Sequence, residues 1–134
     1  MKRVTTILAA LTTILPVTLM VRAGAQAPAT FKRTVLQQGD LSAPGREAVM
    51  ALAEIQPNGA SGRHTHPGEE IGYVLAGPIV LEMDGKPVRT LQTGEAFLIP
   101  AGTIHNAKTG GTGLAKVVAT YVIEKGKPVA TPAP

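Results

Sequence analysis

The sequence predicts a small all-β domain, a sandwich or barrel of antiparallel strands. Three observations predict it. Short apolar or alternating runs recur at close spacing, clusters of glycine and proline separate them, and no segment after residue 30 joins helical periodicity to helical length. A chain of 134 residues has room for one such domain.

The chain opens on a segment of another kind. Met1, Lys2 and Arg3 make a positive start, and from Val4 to Val21 there is no charge. Ala25-Gln26-Ala27 then offers the small-x-small pattern that a signal peptidase reads, so residues 1–27 are expected to be a signal peptide. An uncleaved membrane anchor is the rival, since 18 uncharged residues are just long enough to span. Five threonines and Pro16 weaken that rival. The chain has no cysteine, which excludes a lipoprotein anchor, and Lys2-Arg3 is not a twin arginine. The expected product is an exported protein, periplasmic or secreted, with no membrane attachment after cleavage.

The elements of the domain follow in order. Residues 28 to about 45 read as an opening strand with loops around Gly39, Pro44 and Gly45. Strand-like runs come next at Ala48–Ile55, Ile71–Leu75, Ile79–Met83, Val88–Leu91, Ala96–Ile99 and Leu114–Ile123. Asp84-Gly85 is a hairpin signal, because both central positions of the tightest turn favour positive φ. Gly110-Gly111-Thr112-Gly113 lacks the lysine and following helix of a phosphate loop and reads as a hairpin loop. The close, Gly126 to Pro134, is proline-rich and reads as a flexible tail, leaving 28–125 as the folded domain.

Charge narrows the partners. The full chain carries 13 Lys and Arg against 9 Asp and Glu. Lys2, Arg3 and Arg22 leave with the signal, so residues 28–134 hold 10 against 9, a net of +1. A near-neutral domain with scattered cations and four aromatic residues has neither the basic footprint nor the stacking platform for nucleic acid. The absence of cysteine removes disulfides, iron–sulfur clusters, thiolate zinc and a cysteine nucleophile. Ser42 and Ser61 sit in no nucleophile elbow.

The chemistry lies in two places. In Arg63-His64-Thr65-His66-Pro67-Gly68-Glu69-Glu70, residues two apart on an extended segment share a face, so His64 and His66 aim together. Glu70 can rejoin them after the Pro67-Gly68 bend. Glu69 has the opposite parity and should face water. In Pro100-Ala101-Gly102-Thr103-Ile104-His105, a turn delivers the third histidine. Three nitrogens and one oxygen suit Fe(II), Mn(II), Ni(II), Cu(II) or Zn(II) better than calcium or magnesium. Arg63 is within reach of an anionic substrate but reads as a surface arginine, and Tyr73 reads as barrel filling. Glu82 and Glu95 are acids on or near strands with no assigned role.

The spacing His64-x-His66-x3-Glu70-x6-Gly77, then Gly94-x5-Pro100-x-Gly102-x2-His105, resembles the two motifs of the cupin superfamily. The resemblance covers residues 59 to 105. It implies an antiparallel jelly-roll β-barrel with one divalent transition metal in its pocket, held by His64, His66, Glu70 and His105. Two positions depart from the pattern. The glycine expected six residues before the first histidine is Asn58, with Gly59 after it, and Thr109 stands where asparagine is common. The resemblance implies a metalloenzyme acting on a small molecule (dioxygenase, isomerase or lyase type unresolved) or else a non-catalytic metal- or ligand-binding module. It also implies a homodimer, since small barrels leave edges for a partner to cover.

Overall fold

Side-chain parity divides each long strand between an inner and an outer face. In the computed structural model, which describes residues 29–134, the burial of the last long strand alternates from Ala115 to Ile123 without a break. The expected signal peptide, residues 1–27, lies outside the described residues. Those described contain strands β1 (Phe31–Asp40), β2 (Arg46–Ile55), β3 (His64–Thr65), β4 (Glu69–Ala76), β5 (Ile79–Met83), β6 (Arg89–Leu91), β7 (Ala96–Ile99), β8 (His105–Thr109), β9 (Ala115–Glu124) and β10 (Thr131–Pro132), and no helix.

The strands form two antiparallel five-stranded sheets, ordered β1-β2-β9-β4-β7 and β10-β3-β8-β5-β6. Their inner faces share one core. Val49, Ala51, Ala53 and Ile55 from β2 and Val117, Ala119, Tyr121 and Ile123 from β9 meet Ile79, Leu81 and Leu91 from the other sheet. This is the jelly-roll arrangement expected of the sequence, in which chain neighbours are shared between two layers.

Several local expectations need correction. The opening strand runs ten residues and pairs with β2 from Phe31↔Ile55 to Asp40↔Glu47, with an irregularity between Val35 and Gln37. The Asp84-Gly85 hairpin closes differently from the tightest turn. Only Gly85 has positive φ, at 73°, and the β5–β6 ladder begins at Leu81↔Arg89 because Pro87 has no N–H to donate. The Gly110–Gly113 loop is no hairpin: β8 and β9 belong to different sheets, so it carries the chain from one to the other. Tyr73 does not fill the barrel. It stands three residues after Glu70, hence on the opposite face, and is 47% exposed.

The closing residues, expected to be a flexible tail, are held instead. Gly126 donates its N–H to the buried carboxylate of Glu47. Val129 packs against the core, and β10 pairs with β3 through Thr131↔Thr65 and Pro132↔His64. Backbone pairing satisfies this segment where its side chains offer little to bury.

Two positions show how the backbone sets up the first motif. Asn58 takes φ 59°, the left-handed conformation that asparagine tolerates, so it does the work of the missing glycine. At Gly68 an added Cβ would stand 1.8 Å from the carbonyl oxygen of Val122. Only glycine lets the Pro67-Gly68 bend press this closely on β9.

Candidate metal centre

The three histidines and Glu70 come together between the sheets, and all four are buried. β3 supplies His64, and His66 follows directly after that strand. β8 supplies His105, the register partner of His64. Glu70 arrives on β4, in the opposite sheet, paired with Ile99 and Tyr121. Candidate ligand atoms of the three histidines lie within 4.8 Å of one another, with ring centroids 4.3 to 4.9 Å apart. Glu69 is exposed, as its parity requires.

Each ring has one nitrogen committed to the backbone. Nδ1 of His64 lies 2.8 Å from the Gly62 carbonyl oxygen, that of His66 2.5 Å from Val129, and that of His105 2.9 Å from Thr103. A carbonyl only accepts, so each Nδ1 carries the proton and donates it. In a neutral ring Nε2 is then a bare lone pair. Burial pushes His64 down to about 4, outweighing the Gly62 hydrogen bond, so this ring is neutral near pH 7.

A carboxylate adjoins the cluster of three rings. Glu70 Oε2 lies 2.9 Å from His66 Nε2 and 3.2 Å from His105 Nε2. Burial raises its pKa, and the opposing, larger lowering by His105 and His66 operates only where those rings also carry a proton on Nε2. His66 Nε2 and Glu70 Oε2 are both buried, yet neither has an aligned hydrogen-bond partner. Buried polar atoms left this way are uncommon and call for a missing partner. Close approach without mutual alignment is how ligands of a shared ion stand, and three imidazoles with one carboxylate fit a divalent transition metal by donor type. Carbonyl-anchored Nδ1 groups are also what orients histidine ligands elsewhere.

A small cavity adjoins the cluster. Two of its walls escaped the sequence reading. Tyr121 lies on β9 at core parity, its ring centroid 4.5 Å from that of His66. Burial first, then the charge of Glu70, raises its phenol to about 12, so it stays a hydrogen-bond donor. Arg33 lies on β1 opposite Ala53, with its guanidinium carbon 5.3 Å from the ring centroids of both Phe31 and Tyr121. For Tyr121 the available signal was a polar-tipped residue at the inward parity of an otherwise apolar face, whereas β1, rich in polar residues, gave none for Arg33. The other candidates are engaged at the surface. Arg63 binds Asp84 through two hydrogen bonds of 3.0 and 2.9 Å, Glu82 binds Lys108 and Asn106, and Glu95 accepts the Gln92 N–H.

Known proteins resemble this chain in the same region. The family described as Cupin domain matches residues 51–123. The HTH-type transcriptional regulator PuuR of Escherichia coli (strain K12) is 33% identical over 79 residues, 58% of this chain and 42% of the regulator. The chain thus spans about two fifths of that relative's length. Among solved structures, DMSP lyase DddQ from Ruegeria pomeroyi DSS-3 superposes with a TM-score of 0.66 at 23% identity, over 84% of this chain and 56% of the lyase. A recombinant oxalate oxidase in complex with glycolate gives 0.63 at 24% identity, over 78% of this chain and 56% of the oxidase. At these identities the likeness carries the fold alone.

Proposed function

The chain belongs to the cupin family, and from that premise we propose that it is an exported metalloenzyme acting on a small molecule. His64, His66, Glu70 and His105 would hold one divalent transition metal, Fe, Mn, Ni, Cu or Zn. The observation that carries this reading is the bare Nε2 of His66 beside Glu70 Oε2, both buried and both without an aligned partner. A bound metal would supply Lewis acidity or, if redox-active, oxygen chemistry.

The chain's own residues have separate tasks. The carbonyls of Gly62, Val129 and Thr103 fix the three rings. Tyr121 offers a protonated phenol beside the cluster, and Phe97, Ile99 and Val117 keep the inner wall apolar. The enzymatic side of the proposal draws on the lyase and oxidase among its structural relatives. The alternative, a non-catalytic ligand-binding module, draws on the transcriptional regulator and on the surface engagement of Glu82 and Glu95.

Calorimetric titration of chelator-treated protein with zinc and manganese tests the metal. One equivalent per chain is expected, and no uptake of any transition metal would overturn the proposal. Metal content of protein purified from its own compartment then identifies the ion. Export is tested by intact mass: the expected species begins at Pro28, whereas a membrane fraction retaining Met1 speaks against it.

A further inference from the structure

One cation in the described structure is half-buried and unpaired, and it stands at the meeting point of two cavities. We propose that Arg33 anchors the carboxylate of a small carboxylic acid, placing the rest of that molecule against the histidine cluster. The inference rests on the pocket serving a small molecule, as proposed above, but does not require that a metal be bound.

Among the described residues, Arg63, Lys108, Lys116 and Lys125 each pair with an acid. Lys32, Arg46, Lys86, Arg89 and Lys127 lack one but are exposed, where water solvates them. Arg33 has neither an acid nor full exposure, and the neutral phenol of Tyr121 is the polar side chain that interacts with it. It is half-buried with no carboxylate partner, and its Nε is buried without a hydrogen-bond acceptor. Leaving a charged donor unsatisfied out of water is costly, so the site is arranged for an acceptor that comes from outside the chain.

The surroundings define that acceptor. Phe31 and Tyr121 approach the guanidinium at 5.3 Å to each ring centroid, an association that leaves donors for an anion. Arg33 and His64 line the inner cavity and also the outer one, whose other walls include Ser61, Arg63 and Pro132. A molecule entering through the outer cavity therefore meets Arg33 before it reaches Glu70 and His105. Glu70 does not compete for the guanidinium, because its close partners are His66 and His105. The guanidinium fork matches two coplanar oxygens, which is the geometry of a carboxylate. Phe31, Ala130 and Pro132, beside Arg33 and His64 in the roomier outer cavity, suit a short organic body better than an inorganic ion.

The test titrates the full chain with propionate, its uncharged counterpart propionamide, and inorganic phosphate. Chemical shifts are followed by NMR on chelator-treated and zinc-treated protein. Propionate is expected to shift resonances of Phe31, Ser61, His64 and Tyr121, and Arg33→Gln to weaken it at least tenfold. Calorimetric zinc affinity of Arg33→Gln should stay within threefold of the parent. Propionamide binding as tightly as propionate, phosphate binding as tightly as propionate, or unchanged propionate affinity in Arg33→Gln would each overturn the proposal, as would a parent protein that binds no propionate in either form. If Arg33→Gln does not fold, Arg33→Lys keeps the charge and loses the fork; at least a threefold weakening is expected there, and equal affinity counts against the assignment. Failure of the metal reading looks different: no zinc uptake by the parent, with propionate binding still dependent on Arg33.

Discussion

Glu69 and Glu70 are neighbours with opposite surroundings, because successive side chains on a strand point to opposite faces. Glu69 is exposed, whereas Glu70 is buried against two imidazoles. Glu70→Gln is therefore expected to lower metal affinity at least tenfold, and Glu69→Gln to leave it within twofold, as read by calorimetry. The reverse ranking would mean that the ligand has been assigned one residue too late. His64 sets a second expectation, for the metal-free protein. Its folded value is about 4 against an ordinary 6.5, with burial the main cause. Between those values the unfolded chain takes up a proton that the folded chain refuses, so stability falls as pH is lowered from about 6.5 to 4. Urea midpoints measured in chelator across that window should decline steadily. A flat profile would show that the ring titrates alike in both states.

At the scale of elements, the closing segment belongs to the site. β10 pairs with β3, Arg63 accepts the Ala133 N–H at its carbonyl, and the Val129 carbonyl holds the His66 ring. Outer partners of metal-binding histidines typically carry 10- to 100-fold in affinity. Removing residues 128–134 should weaken metal binding by at least tenfold while β1 to β9 remain folded. Zinc titration with circular dichroism on the same samples separates the two effects. A shortened chain that binds metal as tightly as the full one would reduce the segment to a covering strap.

The whole molecule presents an apolar outer face on its first sheet. Ile71 and Tyr73 on β4, Leu98 on β7 and Met50 on β2 are all exposed there, with 49% of Ile71 and 56% of Leu98 open to solvent. Clustered apolar side chains of this kind mark association surfaces. The homodimer expected of the sequence remains a proposal, and this face is the one offered for it. Light scattering at micromolar concentration should return twice the chain mass, and the double substitution Ile71→Lys with Leu98→Lys should return a monomer that still folds. A parent monomer at that concentration would end the proposal.

What the sequence determined by itself was whatever depends on near neighbours along the chain. Alternation from Ala115 to Ile123 is a period-two pattern, so it marked that strand without reference to a partner. On β4, by contrast, the large apolar side chains Ile71, Tyr73 and Leu75 lie on the outer face, and the sequence pointed Tyr73 the wrong way. The first motif was legible, since His64, His66 and Glu70 fall within seven residues and parity alone aligns them. β8 was not legible: its sequence, HNAKT, is polar, and it is a strand because β5 and β3 pair with it on either side. Nor was the role of Arg33, because inward parity does not reveal whether an acid waits on the facing strand. The tail offered few apolar side chains, and its place depends on hydrogen bonds to residues such as His66, 63 positions earlier. Parity is a local property of an extended backbone, whereas partners and unpaired charges arise only when distant strands are brought side by side.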